Sequence, residues 1–252
     1  MKNVTVRGVT FGAGIPKICV PIVGKTRDEI LETAKEIQKT PADIVEWRAD
    51  WYEKVFCLEE VKQTAKELRE ILKDMPILFT FRTKKEGGEK EISIEEYQKL
   101  NLEVAKSGFL DLLDVELFTG EKVVRELIDG IHREEKVVIA SNHDFEKTPE
   151  KEEIVKRLDS MQKLGADIAK IAVMPRTQKD VLTLLLSTVE KSGQKDSVPL
   201  ITMSMAGLGA LSRVAGECTG SVMTFGAVGK TSAPGQMNVW DLKKVLEAVH
   251  QA

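Results

Sequence analysis

A (β/α)8 TIM barrel, with an N-terminal β-hairpin ahead of its first barrel strand, is the fold class this sequence predicts. Three observations predict it. Apolar, strand-like runs recur eight times from Lys17 onward, mostly about 30 residues apart, the length of one strand–helix unit. Helical stretches with recognisable start signals stand between them. Within five of these runs, one of the two alternating residue sets is wholly apolar, as a helix-facing side should be, while the other turns polar or charged toward its carboxyl end.

The elements follow in order. Val4-Thr5-Val6 and Val9-Thr10-Phe11 flank Arg7-Gly8 and read as the hairpin. The strand-like runs are 18–23, 44–48, 77–82, 110–116, 137–141, 168–173, 200–203 and 222–225. Thr26 with Glu29, and Ser93 with Glu96, have capping-box spacing, in which hydroxyl and carboxylate each take a free amide at the helix start. Leu58, Val61, Ala65, Leu68 and Leu72 lie on one helical face within 58–73. Thr148-Pro149 predicts a cap followed by proline at the first helical position, and Asn238 with Asp241 opens the last helix. No repeat, low-complexity tract or linker interrupts the pattern. Residues 1–252 are therefore expected to form a single domain, hairpin in 1–16 and barrel in 17–252.

Composition narrows the function. The chain carries 37 Lys and Arg against 40 Asp and Glu, a formal charge of −3. That balance argues against a nucleic-acid or other polyanion binder while leaving room for a local basic pocket. No apolar run approaches the roughly 18 residues that cross a bilayer, and the first residues lack a signal-peptide core. Cys19, Cys57 and Cys218 are too dispersed for a disulfide frame or a zinc site. The expectation is a soluble cytoplasmic protein, without membrane or nucleic acid.

The polar strand sets locate the chemistry. Glu46 and Arg48 share a face with Ile44, and Thr80 and Arg82 with Leu78. Asp114 and Glu116 share one with Leu112, Ser141 and His143 with Ile139, and Lys170 with Ile168 and Ala172. In a barrel of this kind the active site sits at the carboxyl ends of the strands, so these groups are expected to converge on one mouth. Lys170 is the anomaly among them, because burying its charge costs several kcal/mol, on the order of 5, unless it is paired or neutralised. One reading is a buried ion pair. The other is an amine nucleophile forming an imine with a ketone or aldehyde; a free lysine titrates near ~10.4 and must lose its proton first, which apolar walls and a cation such as Arg48 or Arg82 would favour.

His143 stands at the end of the preceding strand. Of the three histidines, His132 lies in a charged helix and His250 near the carboxyl terminus, which leaves His143 as the candidate acid–base group. Glu46, Glu86, Asp114 and Glu116 either orient the lysine or histidine or pair with Arg48 and Arg82. Arg213, in a helix-like stretch after the seventh strand, is either a surface arginine or a guanidinium that could hold a substrate carboxylate bidentately, and Met203 and Met205 form an apolar wall. Gly24-Lys25-Thr26 and Gly229-Lys230-Thr231 fail as phosphate loops, because Cys19 and Thr224 stand where a glycine is required. Gly12-Ala13-Gly14 is too short for a dinucleotide fingerprint, and the His and acidic residues lack metal-ligand spacing, so no metal is expected.

Taken together, Glu46-Trp47-Arg48-Ala49-Asp50, Phe79-Thr80-Phe81-Arg82, Lys85-Glu86-Gly87-Gly88, Ser141-Asn142-His143-Asp144-Phe145 and Lys170-Ile171-Ala172-Val173-Met174-Pro175 resemble type I 3-dehydroquinate dehydratase. So do Met203-Ser204-Met205, Ser212-Arg213, Thr224-Phe225-Gly226 and Ser232-Ala233-Pro234-Gly235-Gln236, in the same order along nearly the whole chain. The resemblance implies a Schiff-base hydro-lyase of the shikimate pathway that turns 3-dehydroquinate into 3-dehydroshikimate by syn elimination of water. It implies an imine at Lys170, proton transfer by His143, support of His143 by Glu86, and a carboxylate grip by Arg213. Glu46, Arg48 and Arg82 would hold ring hydroxyls and help keep Lys170 neutral. Met203, Met205 and Phe225 would bound the substrate, and Ser232 and Gln236 would belong to a closing loop. No cofactor is implied beyond the covalent imine, and a homodimer is. Pro21 departs from the small polar residue several members carry at the end of the first strand, so that contact is left out.

Two other readings compete. A class I aldolase-type barrel also uses a sixth-strand lysine, but 203–207 and 224–229 lack its phosphate-binding signal. A non-catalytic binding barrel would not need a buried amine beside a histidine.

Overall fold

The computed structural model describes residues 2–229 and 231–252; Met1 and Lys230, the latter in the second Gly-Lys-Thr triplet, lie outside the described residues. Strands β1 (Val4–Val6) and β2 (Val9–Phe11) form the antiparallel hairpin. Eight strands then alternate with helices: β3 (Lys17–Ile22), β4 (Ile44–Arg48), β5 (Ile77–Thr80), β6 (Leu112–Glu116), β7 (Val137–Asp144), β8 (Ile168–Val173), β9 (Leu200–Ser204) and β10 (Met223–Ala227). The helices are α1 (Arg27–Ile37), α2 (Leu58–Leu72), α3 (Ile94–Ala105), α4 (Glu121–Arg133), α5 (Lys151–Lys163), α6 (Gln178–Ser192), the short α7 (Ala210–Val214) and α8 (Gly216–Thr219), and, after the two-residue strand β11 (Met237–Asn238), α9 (Val239–His250).

Neighbouring strands pair in parallel from β3 through β9, and β10 pairs back onto β3. The barrel closes between β9 and β10 through an isolated bridge, Leu200 with Ser221, where Val222 N–H donates to the Leu200 carbonyl at 2.8 Å.

Strand parity divides the core as period-two alternation requires. Cys19, Ile44, Leu78, Leu112, Ile139, Ile168, Ile201 and Met223 fill the barrel interior, and hairpin residues Val6 and Phe11 pack into the same cluster. Val20, Val45, Trp47, Phe79, Leu113, Val115, Ala140, Ala169 and Ile171 face the helices. The hairpin thus plugs the amino-terminal end of the barrel, opposite the mouth. Asp111 ties it there: its carboxylate accepts from Arg7 Nε at 2.6 Å, from Arg69, and from the Ile77 amide at 2.9 Å.

Local details depart from expectation in physically readable ways. Helix α5 begins at Lys151 with Glu150 at its cap position, not at Pro149, and the Thr148 hydroxyl donates instead to the Met174 carbonyl at 3.1 Å. The Ser93–Glu96 box is complete, whereas Glu29 accepts from the Lys25 amide, one residue too early, so Thr26 caps α1 alone. Strand β7 runs to Asp144 because β8 stays in register with it throughout, pairing His143 with Ala172 and Asp144 with Val173. His143 is therefore a strand residue rather than the first loop residue.

Candidate active site

Lys170 occupies the middle of β8, in register with Ser141 of β7 and Ile201 of β9. Its outward neighbours Ala169 and Ile171 pack against helices, so its side chain is turned into the barrel, where it is 3% exposed. Its amine nitrogen lies 3.4 Å from Glu46 Oε1, 3.8 Å from Asp114 Oδ2 and 4.6 Å from the centre of the Phe225 ring. The nearest charges are thus carboxylates, and the arginines expected beside it are committed elsewhere. Arg48 grips Asp50 with two bonds of 2.8 Å, the bidentate pairing that fixes a guanidinium in place. Arg82 donates to Glu116 at 2.8 Å and to Ser141 Oγ at 3.0 Å, and makes an ion pair with Asp114 at 2.8 Å whose angle lies outside hydrogen-bond geometry. Glu46 is steadied by the Thr80 hydroxyl at 3.0 Å.

His143 stands one pleat repeat above Lys170, on the neighbouring strand and the same face. Its Nδ1 is 3.0 Å from Glu86 Oε2, which also accepts the His143 backbone amide at 2.9 Å; Glu86 Oε1 accepts from Asn142 Nδ2 at 3.2 Å. Burial, then the positive charges of Arg82, Lys170 and Arg48, hold the imidazole well below its ordinary titration range, so it is neutral at neutral pH. Burial and the nearby Glu116 push Glu86 up to about 8, with Arg82 and the Asn142 amide opposing them. When Glu86 is ionised and the proton stays on Nδ1, Nε2 carries a free lone pair, the form a general base needs.

Glu86 owes its position to two glycines. Gly87 has φ +85 and lies so close to the Phe145 ring that a Cβ would sit 2.3 Å from it. At Gly88 a Cβ would be 1.8 Å from the Arg82 carbonyl oxygen. The Lys-Glu-Gly-Gly turn therefore folds back on Arg82 and lifts Glu86 against β7 only with glycine at both places.

The loop 231–236 lies over the mouth. Arg48 and Arg213 donate to the carbonyls of Ser232 (3.3 Å) and Pro234 (2.9 Å), and the Ala206 amide donates to Pro234 at 3.2 Å. Gln236 accepts from the Ser232 amide and donates to its hydroxyl, each at 2.9 Å. Arg213, on α7, is 1% exposed, yet its Nε and Nη1 have no partner among the described residues. Burial pulls it down to about 10.

Eleven sequence-nominated residues line one cavity: Glu46, Arg48, Arg82, Glu86, His143, Lys170, Met203, Met205, Phe225, Ser232 and Gln236. Arg213 does not line it and stands behind the loop. Gly87, Phe145, Ala172 and Ala233 complete the lining, and Asp50, Asp114, Ser141 and Asn142 stand behind it. Phe145, Asp50 and Asn142 were each signalled only by the motifs that contain them. Among the described residues no group of three or more His, Cys, Asp or Glu is arranged to hold a metal ion, and no helix is long and apolar enough to cross a membrane.

The family model for type I 3-dehydroquinase matches residues 18–252. The chain belongs to the type I 3-dehydroquinase family. It is 54% identical over 250 residues to a 3-dehydroquinate dehydratase of Clostridium botulinum, covering 99% of this chain and 98% of that one. The crystal structure of the type I enzyme from Clostridium difficile, solved with covalently modified comenic acid, superposes with a TM-score of 0.96 at 51% identity, covering 99% and 98% of the two chains. The enzyme from Geobacillus kaustophilus superposes equally well, TM-score 0.96, at 38% identity, over 99% of this chain and 97% of that one. The hydro-lyase reaction of the shikimate pathway implied by the motifs is therefore the reaction of the type I 3-dehydroquinase family to which the chain belongs.

Proposed function

We propose that this mouth dehydrates 3-dehydroquinate through an imine on Lys170, with His143 as the group that moves the proton. The observation that carries the reading is the register of β7 and β8. It brings a buried amine and a neutral imidazole to the same face of one enclosed cavity, one pleat repeat apart. The Lys170 amine attacks the C3 ketone, and the carbonyl oxygen leaves as water. The imine then withdraws the electron pair released when His143 Nε2 takes a proton from C2, and the C1 hydroxyl departs with that same proton. Water hydrolyses the product imine and returns the free amine. Atoms balance without any cofactor, since the lysine imine is the electron sink.

Glu86 holds the imidazole so that Nε2 is free. Arg213 takes the C1 carboxylate, a role suited to a buried guanidinium with two unpaired donors. Glu46, Arg48 and Arg82 hold ring hydroxyls, while Met203, Met205 and Phe225 pack the ring. Ser232 and Gln236 close over it and exclude water.

The same proposal includes a cytoplasmic homodimer without metal or organic cofactor. A second copy suits the exposed apolar stripe of α6, Leu182, Leu186 and Val189 at helical spacing, extended by Leu208 and Leu211.

Stereochemistry tests the proton assignment. With 3-dehydroquinate deuterated at the C2 position on the same face as the departing hydroxyl, the product is expected to lose the label. Retention of that label, with loss of the opposite hydrogen, would contradict a single base serving both steps.

A further inference from the structure

The hydrogen-bond chain that ends at His143 extends past Glu86 toward the surface. Asn142 Nδ2 donates to Glu86 at 3.2 Å, and Asn142 Oδ1 accepts from Arg157 Nη1 on α5 at 2.9 Å. Arg157 is itself fixed on other sides: Nε donates to Glu153 at 2.9 Å, Nη1 lies 3.4 Å from Asp144, and its guanidinium stands 5.3 Å from the centre of the Phe118 ring. Neither Asn142 nor Arg157 lines the catalytic cavity; both border a groove on the far side of the wall made by Glu86 and His143.

An asparagine amide donates at one end and accepts at the other, and rotation exchanges the two. A guanidinium can only donate. With Arg157 in place, Oδ1 must face it and Nδ2 must face Glu86. We propose that Arg157 and Asn142 are positioning residues for proton abstraction. Arg157 sets the polarity of the amide, and the amide presents a donor to Glu86. The carboxylate held in this way keeps the His143 proton on Nδ1 and its lone pair on Nε2. With the amide reversed, its oxygen would face Glu86 and could be satisfied only by a protonated carboxyl. A neutral carboxyl holds the Nδ1 proton less firmly and does not stabilise the imidazolium formed when Nε2 takes up the substrate proton.

This rests on the reading of His143 as the base. The surrounding charges are consistent with it. Glu86 faces Arg82 at 3.6 Å, with Glu116 and Asp114 of β6 behind. His143 faces Arg82, Lys170 of β8 and Arg48 of β4. Asp144 and Glu153 adjoin Arg157. Glu116 and Asp114 drive Glu86 toward protonation, and the Asn142 donor works with Arg82 against them. Removing that donor moves the protonation of Glu86 to higher pH.

The test is the pH dependence of kcat/KM for 3-dehydroquinate, which reports the free enzyme, in the full-length variants Arg157→Met, Asn142→Ala and Asn142→Asp. The acidic limb is expected to move to higher pH in each, by about one unit. That corresponds to about tenfold lower rate at a fixed pH on the limb, with the largest shift for Asn142→Asp, which sets a second carboxylate against Glu86. Borohydride trapping at Lys170 stays at the wild-type level. Arg157→Lys keeps a donor for Oδ1 and is expected to restore most of the wild-type profile. Partial unfolding scales the whole profile without moving its midpoint, so a poorly folding variant still reports. A limb that stays at the wild-type pH in all three variants overturns the proposal. The underlying reading fails separately, if His143→Ala itself turns over substrate near the wild-type rate.

Discussion

Of the cationic side chains at the mouth, Arg48, Arg82 and Lys170 each have a carboxylate within 4 Å, while Arg213, behind the loop over the mouth, has none among the described residues. A buried guanidinium without an anion is costly in the free protein and available to an anionic substrate. Arg213→Met is therefore expected to lower kcat/KM about 100-fold, mostly through KM, since charge-assisted hydrogen bonds contribute about 1.5–3 kcal/mol each. Its melting temperature is expected to hold or rise; a large fall would mean that the charge is compensated in the free protein. Glu86 gives a second residue-level prediction. Its titration is raised from 4.5 to about 8, so the folded state binds a proton there that the unfolded chain releases. Its contribution to stability is full below pH 4.5 and is lost as pH rises through about 8. Relative to wild type, Glu86→Gln is expected to gain stability across that window in denaturant titrations, and a flat difference would contradict the raised value. Lys170 and His143 were legible in the sequence because each breaks an apolar strand pattern. The carboxylates around Lys170 were less so, because pairing depends on which strands adjoin, and the motif order alone did not show that Arg48 turns to Asp50.

In the proposed mechanism, catalysis depends on the turn between Arg82 and Gly88. Gly88→Ala places a methyl where the Arg82 carbonyl lies, and the strain is expected to cost about 1–3 kcal/mol. Because relief of that strain moves Glu86, kcat should fall together with stability, whereas the imine should still form. Normal turnover in a fully stable Gly88→Ala protein would show that the turn does not position Glu86. The element boundaries show where local signals yield to tertiary ones. Alternation marked the barrel strands well, yet β7 ran three residues past its apolar run because β8 offered partners through Asp144. Thr148-Pro149 carried a proper helix-start signal, but its hydroxyl was drawn to Met174 at the end of the next strand. A complete Thr177–Asp180 box opens α6 by the same rule as Ser93–Glu96.

For the whole molecule, the barrel puts its chemistry at one end and its closure at the other. Asp111 links the plugging hairpin, α2 and β5 through Arg7, Arg69 and the Ile77 amide. Asp111→Ala leaves two cations facing each other and is expected to cost about 3–5 kcal/mol of stability. KM should not change, as the mouth lies at the far end; a shifted KM at full occupancy of the folded state would contradict that separation. Leu186 is 61% exposed on the apolar stripe of α6, and if the proposed homodimer forms there, Leu186→Glu is expected to convert it into monomers in sedimentation equilibrium. The overall fold was legible because eight strand signals at the spacing of a strand–helix unit, with a consistent inner face, leave few alternatives. The closure was not, since β9 and β10 meet through a single bridge at Ser221, outside either apolar run.

In the proposed mechanism Lys170 carries the substrate covalently. Borohydride reduction during turnover of 3-dehydroquinate, followed by intact-mass and peptide analysis, tests it most directly. One ligand-sized adduct per chain is expected, located at Lys170, present in His143→Ala and absent in Lys170→Ala. Continued turnover with no adduct, or an adduct on another residue, would contradict it.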